Sequence, residues 1–205
     1  MLKIPFTRNE ISFEIANDIC DAVRAAQSMP TENVVSRLAT VDDAKALYSF
    51  LSDPNVSAPI YTLPRPLTVE SVARFVTDHV AEQEQGEGLL FLNFNKAGQI
   101  GGYIDICLWP QWAAGELGGA VHPDRQGERR GIEGARLSFE WMFETLGLDL
   151  ICETASLDND RTARLLDGLG FKRMGRTESK QSDGSLRASL VWEISKQEWR
   201  DIHST

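Results

Sequence analysis

A glycine- and arginine-rich turn is the first place in this 205-residue chain where chemistry is expected. The turn reads QGERRG, residues 126–131, and lies between the strand-like ELGGAVH and the helix-like GIEGARLSFEWMFETLG. The first N–H groups of a helix have no partner within the helix, and the helix dipole favours negative charge beside them. The turn therefore predicts an anion site, and a pyrophosphate fits it. A tight turn that binds nothing is the alternative.

Two nucleotide-binding motifs are absent from this turn. The sequence contains neither GxGxxG nor GxxxxGK[ST] at the predicted strand-to-helix junction. The strands before the turn read as hairpins, whereas a dinucleotide-binding fold would have strand–helix–strand units there. A nucleotide at this turn would have to be held in another way.

The elements that position the turn follow from hydrophobic periodicity. From residue 34 onward the chain predicts the order β α α β β β α β α β β. The strand–helix–strand unit between residues 116 and 156 implies a right-handed parallel crossover, and the hairpins on either side imply antiparallel neighbours. The sequence therefore predicts an α/β (α+β) fold with a mixed, mostly antiparallel sheet. Its parallel pair is expected at about residues 115–122 and 149–156.

The N-terminal segment is predicted to be a separate unit. Apolar residues recur there at every fourth position, which is typical of one helical stripe: Ile11, Ile15, Ile19 and Val23. The stretch SMPTEN, residues 28–33, is the expected boundary. We predict a helical extension at residues 1–33 and a main domain at 34–205. The stripe either docks on the main domain or makes a dimer or partner contact.

Composition excludes several functions. A net charge of −9 argues against a general nucleic-acid binder and mildly favours a cationic or amine-bearing partner. Three widely spaced cysteines without a CxxC pair predict neither disulfides nor a metal site. No apolar run approaches the ~20 residues of a membrane span, so we expect a cytoplasmic protein that does not enter a membrane.

Several blocks of sequence, in one order over about residues 34–195, carry a family resemblance. They are RLATVDDAKALYSFLSDPNV, then ELG, HPD and ETLGL in one ungapped register, and then NDRTARLLDGLGF. The chain resembles the GCN5-related N-acetyltransferases (GNAT), and more narrowly the branch of ribosomal-protein N-terminal acetyltransferases (RimJ/RimL-like). This resemblance implies that the parallel strand pair is splayed and that helices cover both faces of the sheet.

The resemblance also implies an activity. An acetyl group would pass from acetyl-CoA to a primary amine, either a protein N-terminus or a small amine, by direct attack in a ternary complex. The lack of a nucleophile beside a histidine and an acid agrees with direct attack. The alternative is a catalytically weak or inactive relative that binds CoA as a sensor or interaction module.

The acetyl-CoA contacts are also placed by the resemblance. The family's Q/R-x-x-G-x-G/A turn matches Gln126, Gly127 and Gly131, whereas Arg129 replaces the inner glycine. Arg129 either hinders the approach of phosphate to the backbone or pairs with it. The expected contacts with acetyl-CoA are Ala120, Val121, Gln126, Gly127, Glu128, Arg129, Arg130, Gly131, Ile132, Asn159 and Thr162.

Direct attack requires a base that removes a proton from the amine. Glu116 is the first candidate, because strand alternation places it on the same face as Gly118 and His122. The alternative is a strand-edge carboxylate paired with an arginine. Glu153 is the second candidate and His122 the third. The backbone of residues 119–121 would stabilise the thioester oxyanion if a bulge at residues 118–119 turned an N–H toward it.

The leaving thiolate requires a proton or a hydrogen bond. Many family members place a tyrosine in the last helix, but the matching residue here is Leu166. Thr162 is then the candidate for this role, or else it caps or packs the helix. Asn159 is expected to contact the pantetheine arm or to cap the same helix.

Two aromatic loops are expected to shape the acceptor site. They are YTLPRP, residues 61–66, and WPQWAAG, residues 109–115. The two tryptophans line an acceptor pocket, cover the edge of the core or mediate a homodimer; the sequence does not separate these readings.

Overall fold

The computed structural model describes residues 4–31, 34–122, 128–181 and 184–203, without the side chains of residues 128–130. The strands in the described residues are β1 Val35–Leu38, β2 Gly88–Phe94, β3 Ile100–Trp109, β4 Ala114–Val121, β5 Leu150–Ser156, β6 Lys172–Lys180 and β7 Leu186–Ser195. The helices are α1 Phe13–Ala25, α2 Ala44–Leu51, α3 Pro54–Ser57, α4 Val69–Gln85, α5 Glu128–Glu144, α6 Asp160–Gly168 and α7 Lys196–His203. This order contains every element predicted from the sequence and adds α3 and α7.

The described strands form one mixed sheet with the order β1-β2-β3-β4-β5-β7-β6. Its pairs are antiparallel except for β4 and β5, which run parallel. That pair is joined at only two positions, Ala114 with Leu150 and Gly115 with Ile151. Beyond Gly115 the two strands separate, as the splayed pair at about residues 115–122 and 149–156 predicted.

Helices cover both faces of the sheet. On one face, α1, α5, α6 and α7 supply apolar side chains to a large buried cluster that includes Phe139 and Trp199. On the other face, α2 and α4 pack on β2 and β3 around Leu47, Val76 and Tyr103. Strand β2 therefore buries alternate side chains in different clusters, Leu89 and Phe91 in one and Leu90 and Leu92 in the other, as a strand covered on both faces requires.

The N-terminal helix docks on the main body of the chain. Ile19 and Val23 are buried in the large cluster, whereas Ile15 is 45% exposed. The helix packs against the 3₁₀ turn Pro110–Trp112, and the guanidinium of Arg8 lies 4.7 Å from the centre of the Trp112 ring. The WPQW segment is therefore covered by the N-terminal part of the same chain. A domain boundary at residues 33 and 34 stays a prediction.

Strand β4 pairs with β3 without interruption from Ala114 to Val121. The expected bulge at residues 118–119 is therefore wrong, because the register does not shift there. Gly119 instead has a φ of +139°, which side chains rarely tolerate. The β3–β4 ladder stays intact because glycine can adopt this φ without a steric clash.

A capping box at Thr40 and Asp43 begins the helical segment that leads into α2. The Asp43 carboxylate accepts hydrogen bonds from the N–H and hydroxyl of Thr40, at 2.8 and 2.9 Å. It also accepts two bonds of 2.7 Å from the Arg37 guanidinium. These bonds lower the pKa of Asp43, the Arg37 side chain contributing most. The buried carboxylate therefore joins β1 to the first turn of the helix.

We expect Asp43→Ala to lower the free energy of unfolding by about 2 kcal/mol, because it leaves Arg37 and the turn without their acceptor. Urea denaturation at pH 7 measures this loss, and Asp42→Ala at the exposed neighbour is the control. Since the folded pKa of Asp43 is lowered, the contribution exists above the unfolded pKa and disappears as the pH falls through the folded one. Equal midpoints for the two variants at pH 7 would contradict this role.

Candidate functional site

The separation of β4 and β5 creates an opening in the middle of the sheet. Glu116 lies on β4 immediately after the last residue paired with β5. The carboxylate of Glu116 accepts a hydrogen bond of 2.6 Å from the hydroxyl of Thr154 on β5. This bond bridges the two strands where the backbone pairing has ended. Glu116 therefore stands at the inner end of the opening, as expected for the first candidate base.

A loop from the N-terminal half of the chain adds Tyr61 to Glu116 and Thr154. The hydroxyl of Tyr61 lies 3.2 Å from the hydroxyl of Thr154, and the guanidinium of Arg187 on β7 stacks 3.9 Å above the Tyr61 ring. Tyr61 belongs to the YTLPRP segment, one of the two loops expected to shape the acceptor site. The chain of contacts runs from Arg187 through Tyr61 and Thr154 to Glu116.

Tyr61 and Arg187 border a cleft of about 380 Å³. The loop after α3, the end of β5 and the β6–β7 hairpin form its walls, which include Tyr61, Arg65, Ser156, Asp158, Gln181 and Arg187. A cleft of this size accepts a small molecule or the end of a peptide. The WPQW segment is not among the residues that line it.

The environment of Glu116 favours its protonated form. Burial raises the pKa of this carboxyl to about 7, the Thr154 hydroxyl opposes the rise, and the charge of Asp105 adds to it. Glu116 as a whole residue keeps some exposed surface. A carboxyl with a pKa near 7 can take a proton from an amine and release it again at neutral pH.

An ionisable pair, His79 and Asp105, lies on the same face of the sheet as Glu116. His79 on α4 is 3.1 Å from a carboxylate oxygen of Asp105, which pairs in register with Gly118. Burial lowers the pKa of His79, but the hydrogen bond and charge of Asp105 outweigh it and bring the pKa to about 9. His79 is therefore protonated at neutral pH, and its partner Asp105 lies opposite Gly118, two positions along β4 from Glu116.

The two other candidate bases are differently placed. The carboxylate of Glu153 accepts a hydrogen bond of 2.9 Å from the backbone N–H of Leu117, and burial raises its pKa well above the usual range. Glu153 thus spans the opening as a bridge between strands. His122 lies six residues along β4 from Glu116, about 20 Å in an extended strand, with its ring 6.4 Å from that of Phe50. Neither candidate shares the hydrogen-bond chain of Glu116.

The family model for the acetyltransferase (GNAT) domain matches residues 34–172. The chain belongs to the GNAT acetyltransferase family. This confirms the resemblance, and it means that the chain carries an acetyltransferase domain of the GNAT type. No curated protein sequence matches the chain.

Solved structures share the GNAT fold of this chain. The ribosomal-protein-S5-alanine acetyltransferase from Vibrio fischeri has a TM-score of 0.69 at 18% identity, over 85% of this chain and 99% of that one. RimJ from Mycobacterium smegmatis, in complex with CoA-disulfide, has a TM-score of 0.67 at 20% identity, over 80% and 83%. A GNAT-family acetyltransferase from Bacillus anthracis has a TM-score of 0.65 at 19% identity, over 83% and 99%.

The turn that matches the GNAT phosphate motif lies partly outside the described residues, since Gln126 and Gly127 are not among them. Glu128, Arg129 and Arg130 form the first turn of α5, which begins three residues earlier than the predicted GIEGAR start. Helix geometry leaves the N–H groups of such a turn without partners in the helix. Gly131 and Ile132 follow on an exposed part of α5, and a Cβ added at Gly131 would meet no atom within 4 Å.

The remaining predicted contacts divide between the end of β4 and the start of α6. Ala120 and Val121 pair with Tyr103 and Gly102 at the open end of β4. The Asn159 side chain caps α6 by accepting a hydrogen bond of 3.1 Å from the N–H of Thr162. Capping was one of the two roles expected for Asn159.

Leu166 occupies the position where many GNAT members have a tyrosine. It is 1% exposed and belongs to the large apolar cluster. No hydroxyl can therefore reach the site from this position. Thr162 is half-buried near the start of α6 and stays the candidate for the thiolate.

Sequence analysis did not single out Thr154, Arg65 or Arg187. Thr154 could have been found, because its alternation along β5 puts it on the face opposite to Glu153, where Glu116 also points. Arg187 had no local signal, since it reaches the site through the register of the C-terminal hairpin.

Among the described residues, no group of His, Cys, Asp or Glu could hold a metal. No described helix is both long and apolar enough to cross a membrane.

Proposed function

We propose that the protein is an acetyl-CoA-dependent N-acetyltransferase in which a primary amine attacks the thioester directly in a ternary complex. The observation that carries this proposal is the position of Glu116. Its carboxyl, with a pKa raised to about 7, lies at the inner end of the strand opening and is joined to the cleft through Thr154 and Tyr61.

Glu116 acts on the amine. An α-amine has a pKa of about 8 and a lysine amine of about 10.4, so both are mostly protonated at neutral pH and cannot attack. Glu116 accepts the proton, directly or through one water, while Thr154 holds the carboxyl in place. The attacking nitrogen then has a free electron pair, and the proton has left the reaction path.

The opening between β4 and β5 fits an extended acyl donor. At the end of the β3–β4 ladder, the N–H of His122 donates a hydrogen bond to the carbonyl of Gly101. In an antiparallel pair such bonds recur at every second residue, so the even-numbered residues of β4 point their N–H and C=O groups toward β3. The N–H groups of Leu117 and Gly119 then face the opening, and Glu153 takes that of Leu117. The N–H of Gly119 is our candidate for the thioester oxyanion. The first turn of α5 supplies backbone donors for the pyrophosphate.

The leaving thiolate and the acceptor require further groups. We propose that the Thr162 hydroxyl hydrogen-bonds the thiolate or the pantetheine arm, because Leu166 offers no polar group. The names of the S5-alanine acetyltransferase and RimJ keep a protein N-terminus among the candidate acceptors, in the RimJ/RimL-like branch. Cytoplasmic location and homodimer formation stay expectations.

The buried Leu166 also favours a second candidate function, a CoA-binding sensor or interaction module with little or no turnover. Such a protein would bind acetyl-CoA but release no CoA thiol in the presence of amines. Binding and turnover, measured on the same preparation, separate the two functions.

Calorimetric titration with acetyl-CoA, CoA and ATP is the first test of this proposal. We expect micromolar binding of acetyl-CoA and at least tenfold weaker binding by Gly131→Asp, because its carboxylate would repel the phosphates. Gly168→Asp adds the same charge at the end of α6, where a side chain also has room, and should bind as the wild type does. Absence of binding at millimolar acetyl-CoA would contradict the proposal.

The pH profile tests the base. We expect kcat/KM to rise with pH through an apparent pKa near 7 and then level off, because the carboxylate form of Glu116 is the active one. An aromatic amine with a pKa well below 7 is the right acceptor, since its own protonation then adds no slope. A flat profile between pH 5.5 and 8.5 would exclude a base with this pKa.

A further inference from the structure

The cleft beside Tyr61 carries charge of the opposite sign to the protein as a whole. The chain has a net charge of −9, yet two arginines and one aspartate line the cleft: Arg65, Arg187 and Asp158. The general expectation of a cationic acceptor, which rests on the net charge, does not describe this surface. The ligand that meets the cleft is selected by its lining, which has an excess of positive charge.

Arg65 has hydrogen-bonding capacity that the other described residues do not use. Its Nη2 donates a bond of 2.8 Å to the carbonyl of Ser57, which fixes the guanidinium at the wall of the cleft. Within the described residues, Arg65 forms no salt bridge. A guanidinium has five N–H donors, so several remain for a ligand.

Among the described residues, Arg187 is also held in place without a salt bridge to a carboxylate. It stacks on Tyr61 and donates a weak bond of 3.3 Å from Nη2 to Ser189. Its Nε is buried, and no described group accepts a hydrogen bond from it. A buried donor without a partner is costly, so a ligand oxygen that reaches it would gain a full hydrogen bond.

Asp158 does not cancel the two arginines. Its pKa is lowered mainly by a hydrogen bond from the Ser156 hydroxyl and only weakly by Arg187. Asp158 forms no salt bridge with either arginine in the described part of the chain. The cleft therefore retains two guanidinium groups that suit a planar anion such as a carboxylate.

We propose that the acceptor is a small primary amine of the amino-acid class, and that Arg65 and Arg187 bind its carboxylate. This inference rests on the proposed N-acetyltransferase function and specifies its acceptor. The carboxylate lies at the two guanidinium groups, and the amine extends past Tyr61 toward Thr154 and Glu116. The arginines thus position the nitrogen for attack, and an amine without an anionic group lacks this anchor.

Matched pairs of acceptors test the proposal. Each amino acid of a panel is compared with its own carboxamide, which keeps the amine and side chain and removes the negative charge. Thiol release from acetyl-CoA gives kcat/KM for both members. The ratio of the two values is compared between the wild type, Arg65→Gln, Arg187→Gln and the double variant. Effects on Glu116 or on the acetyl donor cancel in this ratio.

We expect each single variant to lower the ratio about tenfold and the double variant about 100-fold, chiefly through KM of the amino acid. Arg74→Gln, at an exposed arginine of α4 outside the cleft, should leave the ratio unchanged. An unchanged ratio in both cleft variants would overturn the inference. So would a parallel rise in the Kd for acetyl-CoA, because the arginines would then serve the donor's phosphates.

The failure of this inference differs from failure of the proposed function. A wild type that binds acetyl-CoA and acetylates only peptides or polyamines without a nearby carboxylate would refute the acceptor class and leave the acetyltransferase intact. A wild type that does not bind acetyl-CoA in the calorimeter would refute the proposed function itself.

Discussion

Glu116→Gln is expected to lower kcat/KM about a thousandfold at pH 7.5, while the Kd for acetyl-CoA stays within about twofold. The amide of Gln can still accept the hydrogen bond from Thr154, so the local packing is preserved. It cannot take a proton from the amine. The loss should therefore appear in kcat, and the slope near pH 7 should disappear from any residual activity.

Two controls distinguish loss of catalysis from loss of folding in Glu116→Gln. The pKa of Glu116 is raised on folding, so its contribution to stability is complete below the unfolded pKa and is lost as the pH rises through about 7. At pH 8 the Gln variant should therefore unfold at the same or a higher temperature than the wild type. Glu178→Gln, at an exposed carboxyl of β6, is the control for activity. Wild-type kcat in Glu116→Gln would remove Glu116 from the mechanism.

Gly119→Ala is expected to lower the free energy of unfolding by about 3 kcal/mol and to abolish acetyl transfer. A Cβ at this position would lie 2.3 Å from the carbonyl oxygen of Tyr103 and 3.1 Å from the Cα of Ile104. Both atoms belong to the backbone of β3, which is paired on both edges and cannot retreat. The backbone of β4 must move instead, and the N–H proposed to face the thioester moves with it.

The neighbouring glycine provides the matched comparison. A Cβ at Gly118 would have the carbonyl oxygen of Asp105 as its nearest atom, at 3.7 Å, which is an ordinary contact. Gly118→Ala should therefore fold within about 0.5 kcal/mol of the wild type. Thermal and urea unfolding measure the stabilities of Gly118→Ala and Gly119→Ala. Equal free energies of unfolding would show that Gly119 is not constrained.

Much of the fold, and the position of the first candidate base, could be predicted from sequence. The crossover between residues 116 and 156 required a parallel pair, and strand alternation placed Glu116 on the correct face of β4. The YTLPRP segment was expected to shape the acceptor site; Tyr61 lies beside Thr154, and the acceptor site itself stays a prediction. These features depend on local patterns, or on a connection whose handedness is nearly fixed.

The features that sequence analysis missed depend on distant contacts. Arg187 reaches Tyr61 only because β7 pairs with β5 in one register, and a shift by one residue would turn it to the other face. The location of the WPQW turn depends on the docking of α1, for which the stripe of isoleucines allowed several partners. Of the predicted phosphate turn, Gln126 and Gly127 lie outside the described residues, and the rest begins α5.

The short parallel pair has a consequence for how the molecule opens. Between the halves of the sheet, β1–β4 and β5–β7, the described strands are connected by two residue pairs, the Glu153 bridge and the hydrogen bond from Thr154 to Glu116. The halves are held together mainly by apolar side chains, among them those of α1 and α5 in the large cluster. Separating the two halves would expose apolar surface rather than break a ladder of backbone hydrogen bonds. Such a motion carries a positive heat-capacity change, so the two halves cohere less strongly in the cold.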